Sequence, residues 1–69
     1  MISYGPLWET LKKQNISTYK LEHSYGFSKS LINNLRHDKS VTMNTIDRMC
    51  KLFNCEVSDV VKCIRKDNE

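Results

Sequence analysis

An all-α domain of five short helices is the fold class predicted by this 69-residue sequence. Three observations predict it. Apolar residues recur at three- and four-residue spacing in several short runs. Ser17, Ser28, Thr42 and Ser58 precede four of those runs and are suited to cap helices. Short polar segments join the runs, with no internal repeat, low-complexity stretch or linker. Residues 1–69 therefore read as a single domain with its core at about 6–64 and a charged, frayed tail at 65–69.

Pro6 suits the first turn of a helix, where its missing N–H does no harm. Leu7 and Leu11 lie one turn apart with Trp8 beside them, giving a first helix at about 6–14 that Asn15 ends. Ile16 is an apolar residue ahead of the Ser17 cap, and a second helix runs over about 18–24. Gly26 supplies the freedom for a tight turn. Ser28 caps a third helix at about 29–37, and residues 37–41 form a polar loop. Thr42 caps a fourth helix at about 43–53, in which Ile46, Met49, Cys50 and Phe53 share one face. Ser58 is expected to cap a fifth at about 59–64, with Val60, Val61 and Ile64 apolar. Leu35, Ile46, Met49 and Val61 should be among the most buried side chains.

The functional information is concentrated in residues 17–39. On a wheel of the third helix, Lys29, Ser30, Asn33, Asn34, Arg36 and His37 span about 160° and Leu31, Ile32 and Leu35 about 100° on the other side. The apolar arc must pack on the domain. The polar arc carries donors and acceptors of the kind that read base edges in a DNA major groove. A second helix presenting such a face after a tight turn is the plan of a helix-turn-helix.

Charge follows the same division. The net charge is +3. Residues 12–39 hold Lys12, Lys13, Lys20, Lys29, Arg36 and Lys39 against Glu22 and Asp38, a net +4. Residues 1–11 carry only Glu9, and residues 40–69 balance five basic against five acidic residues. The excess therefore falls where phosphates would be met. An ordinary solvated basic face is the plain alternative, but the third helix carries no acid at all. Asparagine is moreover a poor helix former with no surface advantage, while it can bond bidentately to adenine.

Other chemistry is poorly represented. A chain this short buries only about 60% of its unfolded surface, and an enzyme pocket usually needs roughly 300 Å³ or more. No nucleophile–base pair, paired carboxylates or glycine-rich phosphate loop is present, so no enzyme is expected. Cys50, Cys55 and Cys63 lack a C-x-x-C pair, and neither His23 nor His37 lies near them in sequence. They read as small hydrophobes, Cys50 in the core, with no metal or other cofactor and no small-molecule ligand. His23 reads as a surface residue and His37 as a weaker phosphate candidate. No signal-peptide region and no run of about 18 apolar residues occurs, so a cytoplasmic protein without membrane contact is expected.

The segments I-S-T-Y-K-L, G-F-S-K-S-L-I-N-N-L and K-S-V-T-M-N-T-I-D-R-M-C-K-L-F-N-C-E-V-S-D-V-V carry a further signal. Over about residues 6–64 the chain resembles the Cro and phage-repressor (XRE-type) helix-turn-helix regulators. The resemblance implies a compact five-helix domain of the phage-repressor type whose second and third helices read DNA. It places Lys29, Ser30, Asn33 and Asn34 at positions that face bases. Thr18, Lys39 and Ser40 match backbone-contacting positions, and Arg36 fits the polar arc at phosphate or groove edge. Two departures stand out. The family usually has a small residue where this chain has Glu22, whose carboxylate must reach solvent or find a cation. It also tends to have Asn-Gly after the third helix, where this chain has His37-Asp38; Asp tolerates a left-handed backbone, though less well than Gly.

The reading is thus a cytoplasmic transcriptional regulator, a repressor in the first instance, binding a short double-stranded DNA site. Weak self-association strengthened by DNA is expected, with Trp8 and the last helix (Val60, Val61, Ile64) as the contact. The alternative is a protein-interaction module that keeps the helix-turn-helix fold without DNA activity.

Overall fold

Local capping chemistry sets the helix boundaries. The computed structural model describes residues 1–65. Four α-helices follow one another: α1 (Gly5–Lys13), α2 (Thr18–His23), α3 (Lys29–Arg36) and α4 (Met43–Phe53). Pro6 sits in the first turn of α1. Ser17 accepts the Lys20 N–H at 3.1 Å, Ser28 the Leu31 N–H at 3.0 Å and Thr42 the Thr45 N–H at 3.2 Å. Each bond satisfies a donor that the first helical turn leaves free. The helix exits are left-handed at Asn15 (φ 58°), Asp38 (φ 55°) and Asn54 (φ 52°), side chains that tolerate that region better than most.

The expected fifth helix is absent. Glu56 and Asp59 instead form a reciprocal capping box around a single 3-10 turn, Val57–Asp59, and Ser58 caps nothing. The Glu56 N–H donates to Asp59 Oδ2 at 3.1 Å. Beyond it the chain extends, and β2 (Lys62–Cys63) pairs antiparallel with β1 (Ile2–Ser3), Ile2 opposite Cys63. The Ile64 N–H donates to the Met1 carbonyl at 2.7 Å and continues the ladder. Val60, Val61 and Ile64 are β-branched, and a helix of six residues is marginal without strong packing. Pairing with the amino-terminal strand satisfies the same backbone groups. The frayed tail expected at 65–69 lies, from residue 66 onward, outside the described residues.

The core is built by Tyr4, Leu7, Leu11, Ile16, Leu21, Phe27, Ile32, Leu35, Ile46, Met49, Phe53 and Val60. Leu35, Ile46 and Met49 are buried as expected, but Val61 is only half-buried and Val60 is fully enclosed. Loss of the helix exchanges their places: Val60 closes the 3-10 turn, its N–H bonded to the Val57 carbonyl, and points inward before the chain extends. The carbonyl of Val60 accepts the Leu7 N–H at 3.2 Å, and Thr10 donates to the Asp59 carbonyl at 2.7 Å. These bonds lock the carboxyl-terminal segment onto α1. The surface assigned to self-association changes with it. Trp8 is half-buried against the core, Val60 is buried, and only Ile64 is exposed.

Candidate nucleic-acid interface

Burial of Ile32 and Leu35 fixes the rotation of α3, and Leu31 packs at its edge. That rotation leaves Lys29, Ser30, Asn33, Arg36 and His37 exposed, while Asn34 is half-buried. Thr18, Tyr19 and Glu22 from α2 join Lys29, Ile32, Asn33 and Arg36 from α3 around an open groove of about 490 Å³. The structure thus brings four of the eight named residues, Thr18, Lys29, Asn33 and Arg36, into one concavity. Ser30 and Asn34 lie on α3 outside it. Lys39 and Ser40 are exposed beyond the helix, and Ser40 lines a second hollow of about 400 Å³ with Tyr4, Asp38 and Val41.

The turn between α2 and α3 is held from α4. Gly26 takes φ 75°, a conformation that costs a side chain dearly. Arg48 Nη2 donates to the Tyr25 carbonyl at 3.0 Å, and its guanidinium stacks 4.9 Å from the centre of the Phe27 ring. Tyr25 and Phe27 both pack on Phe53. One arginine therefore joins the turn to the helix behind it. Nothing in the local sequence of Arg48 marks it for this part, because its partners lie more than twenty residues away.

The segment after α3 is pinned by the amino terminus. The Tyr4 N–H donates to Asp38 Oδ1 at 3.0 Å, and the Tyr4 hydroxyl donates to the Lys39 carbonyl at 2.8 Å. The Lys39 N–H in turn donates to the Asn34 carbonyl at 2.8 Å. Burial raises the pKa of the Tyr4 phenol, a backbone hydrogen bond from Val41 opposes the rise, and the Asp38 carboxylate adds to it. Asp38 thus replaces the glycine of the expected turn and uses its side chain as well.

One groove residue, Tyr19, escapes a purely sequential reading, and another, Glu22, answers an expectation. Tyr19 is 71% exposed, its ring centre 4.1 Å from that of His23. Its only sequence signal is a large aromatic on a polar helix face. Glu22 meets the condition set by its position: its Oε2 lies 3.9 Å from Lys29 Nζ, with the carboxylate side chain 30% exposed. Cys50 and Cys55 are half-buried and Cys63 is exposed, all as free thiols. Burial, then the neighbouring Cys50 and the acids Asp59 and Glu56, push the Cys55 thiol up. Among the described residues no group of three or more His, Cys, Asp or Glu is placed to hold a metal. No helix there is long and apolar enough to cross a membrane.

A short helix, a glycine turn and a docked second helix with a free polar face define a helix-turn-helix protein. The chain belongs to the Cro/C1-type helix-turn-helix DNA-binding domain family, whose model matches residues 6–66. It is similar to the crystal structure of the transcriptional regulator VanUg, with a TM-score of 0.84 and 25% sequence identity over 94% of this chain and 87% of that one. No curated protein sequence matches it significantly.

Proposed function

We propose that this domain binds double-stranded DNA sequence-specifically by seating α3 in the major groove, and that it regulates transcription as a repressor. The carrying observation is the exposed, acid-free face of α3 at Lys29, Ser30, Asn33 and Arg36, beside the Thr18 end of α2. Lys29, Ser30, Asn33 and Asn34 read base edges, the asparagines through the bidentate geometry that suits adenine. Thr18, Arg36, Lys39 and Ser40 hold phosphates and fix the register. The Tyr4 bonds to Asp38 and Lys39 keep the second of these phosphate segments in place. Repression by occupancy needs no activity beyond DNA binding, and the likeness to a protein described as a transcriptional regulator supports that direction. One recognition helix covers about half of a usual operator, so two copies occupy half-sites one helical turn apart.

Selection of bound duplexes from a random-sequence pool tests the reading. A motif should emerge, and Lys39→Ala should weaken binding to every sequence alike while flattening the log-affinity against log-salt slope by about 0.9. A pool that stays random after repeated rounds would contradict it and favour an interaction module.

A further inference from the structure

The groove expected to meet a polyanion contains a carboxylate. Glu22 projects from α2 into the concavity, and its Oε2 stands 3.9 Å from the ammonium of Lys29. Lys29 is the first residue of α3 and its side chain is 85% exposed, so it could otherwise swing freely to any phosphate nearby. As a stabilising contact the pair is weak, because exposed ion pairs gain little in water. Its placement is the informative part. An acid at this point repels phosphate, restrains the one cation at the start of α3, and lowers affinity for DNA in general. A repulsive group of this kind gives up affinity in exchange for discrimination between partners.

We infer that Glu22 is a specificity-determining residue, which holds the Lys29 ammonium away from the phosphate backbone and so reserves it for acceptors on a base edge. The inference rests on the DNA-binding reading above. Guanine presents two such acceptors, O6 and N7, in the major groove. In the complex, Glu22 and Lys29 act as a unit: the carboxylate makes non-specific contact less favourable, and the ammonium recovers that loss only at the correct base. Arg36, on the same groove, makes no ion pair among the described residues and remains available for phosphate.

The test compares full-length wild type, Glu22→Gln, Lys29→Gln and the double variant on two duplexes, the one selected by wild type and a scrambled version. Melting by circular dichroism checks that each variant folds. Glu22→Gln should bind the scrambled duplex more tightly, with a log-salt slope steeper by about 0.9 as Lys29 gains a phosphate. Its preference for the selected duplex should fall by about fivefold or more, the lower end of one base contact. In the Lys29→Gln background the Glu22→Gln change should leave the slope unaltered. Lys29→Gln alone, which removes an exposed side chain, should lose discrimination but keep the wild-type slope on scrambled DNA. An equal loss on both duplexes with unchanged slopes would reduce Glu22 to a packing role and overturn the inference. So would a flatter slope for Lys29→Gln alone. Wild-type protein that prefers no duplex would overturn the DNA-binding reading itself, and the inference with it.

Discussion

The hydroxyl of Tyr4 donates to the carbonyl of Lys39 across 2.8 Å, joining the amino-terminal segment to the loop that follows α3. The same residue donates its backbone N–H to Asp38, so two bonds from one buried tyrosine hold the turn. Tyr4→Phe keeps the ring in the core and removes only the hydroxyl bond. It should cost about 0.5–1.5 kcal/mol by thermal or urea melting. The sign of its pH effect follows from the raised phenol pKa, since folding favours the neutral form. That stabilisation is fully present below about pH 10 and lost as pH climbs through the raised value. Wild type should therefore lose more stability than Tyr4→Phe between neutral and strongly alkaline pH; parallel curves would mean that the phenol is not buried beside Asp38.

Leu35 is fully enclosed on the inward face of α3. Leu35→Ala should cost about 2–5 kcal/mol through lost contacts and the cavity left behind. That is a large share of the roughly 5–15 kcal/mol that typically holds a domain together. A melting temperature that barely moves would mean that α3 presents a different face to the core.

The three thiols should separate by reactivity. Cys63 is exposed on β2, whereas Cys55 is half-buried with its pKa raised by burial and nearby Cys50, Asp59 and Glu56. The thiolate is the reactive form, so iodoacetamide at mildly alkaline pH should modify Cys63 first and Cys55 well after it. Peptide mapping by mass spectrometry reads the order. Early labelling of Cys55 would show that the end of α4 opens readily.

Asn33 and Asn34 differ in exposure, the first exposed and the second half-buried beside the groove. At least one of Asn33→Ala and Asn34→Ala should relax preference at a single base pair by about 1–3 kcal/mol while leaving non-specific binding nearly unchanged. Site selection with each variant measures it. Identical motifs from both variants and wild type would move base reading to Lys29 and Ser30.

Most of the helical frame was legible because its signals are local. Ser17, Ser28 and Thr42 each cap within three residues, and the period of Ile46, Met49 and Phe53 defines α4 to its ends. The carboxyl-terminal strand was not legible, since Ile2 and Cys63 carry no mark of pairing and lie some sixty residues apart. The helical spacing of Val60, Val61 and Ile64 was an accident of a β-branched run. In the groove, the polar face of α3 could be read from its wheel. The Tyr4 clamp and the Arg48 support could not, because both join residues distant in sequence.

Nuclear magnetic resonance titration of the labelled protein with its selected duplex tests the central claim most directly. Amide shifts should concentrate at Thr18, along residues 29–36 and at residues 38–40, with α1 and β2 little changed. Shifts centred instead on Trp8, Leu52 and Val57, with α3 silent, would contradict recognition of DNA by this helix.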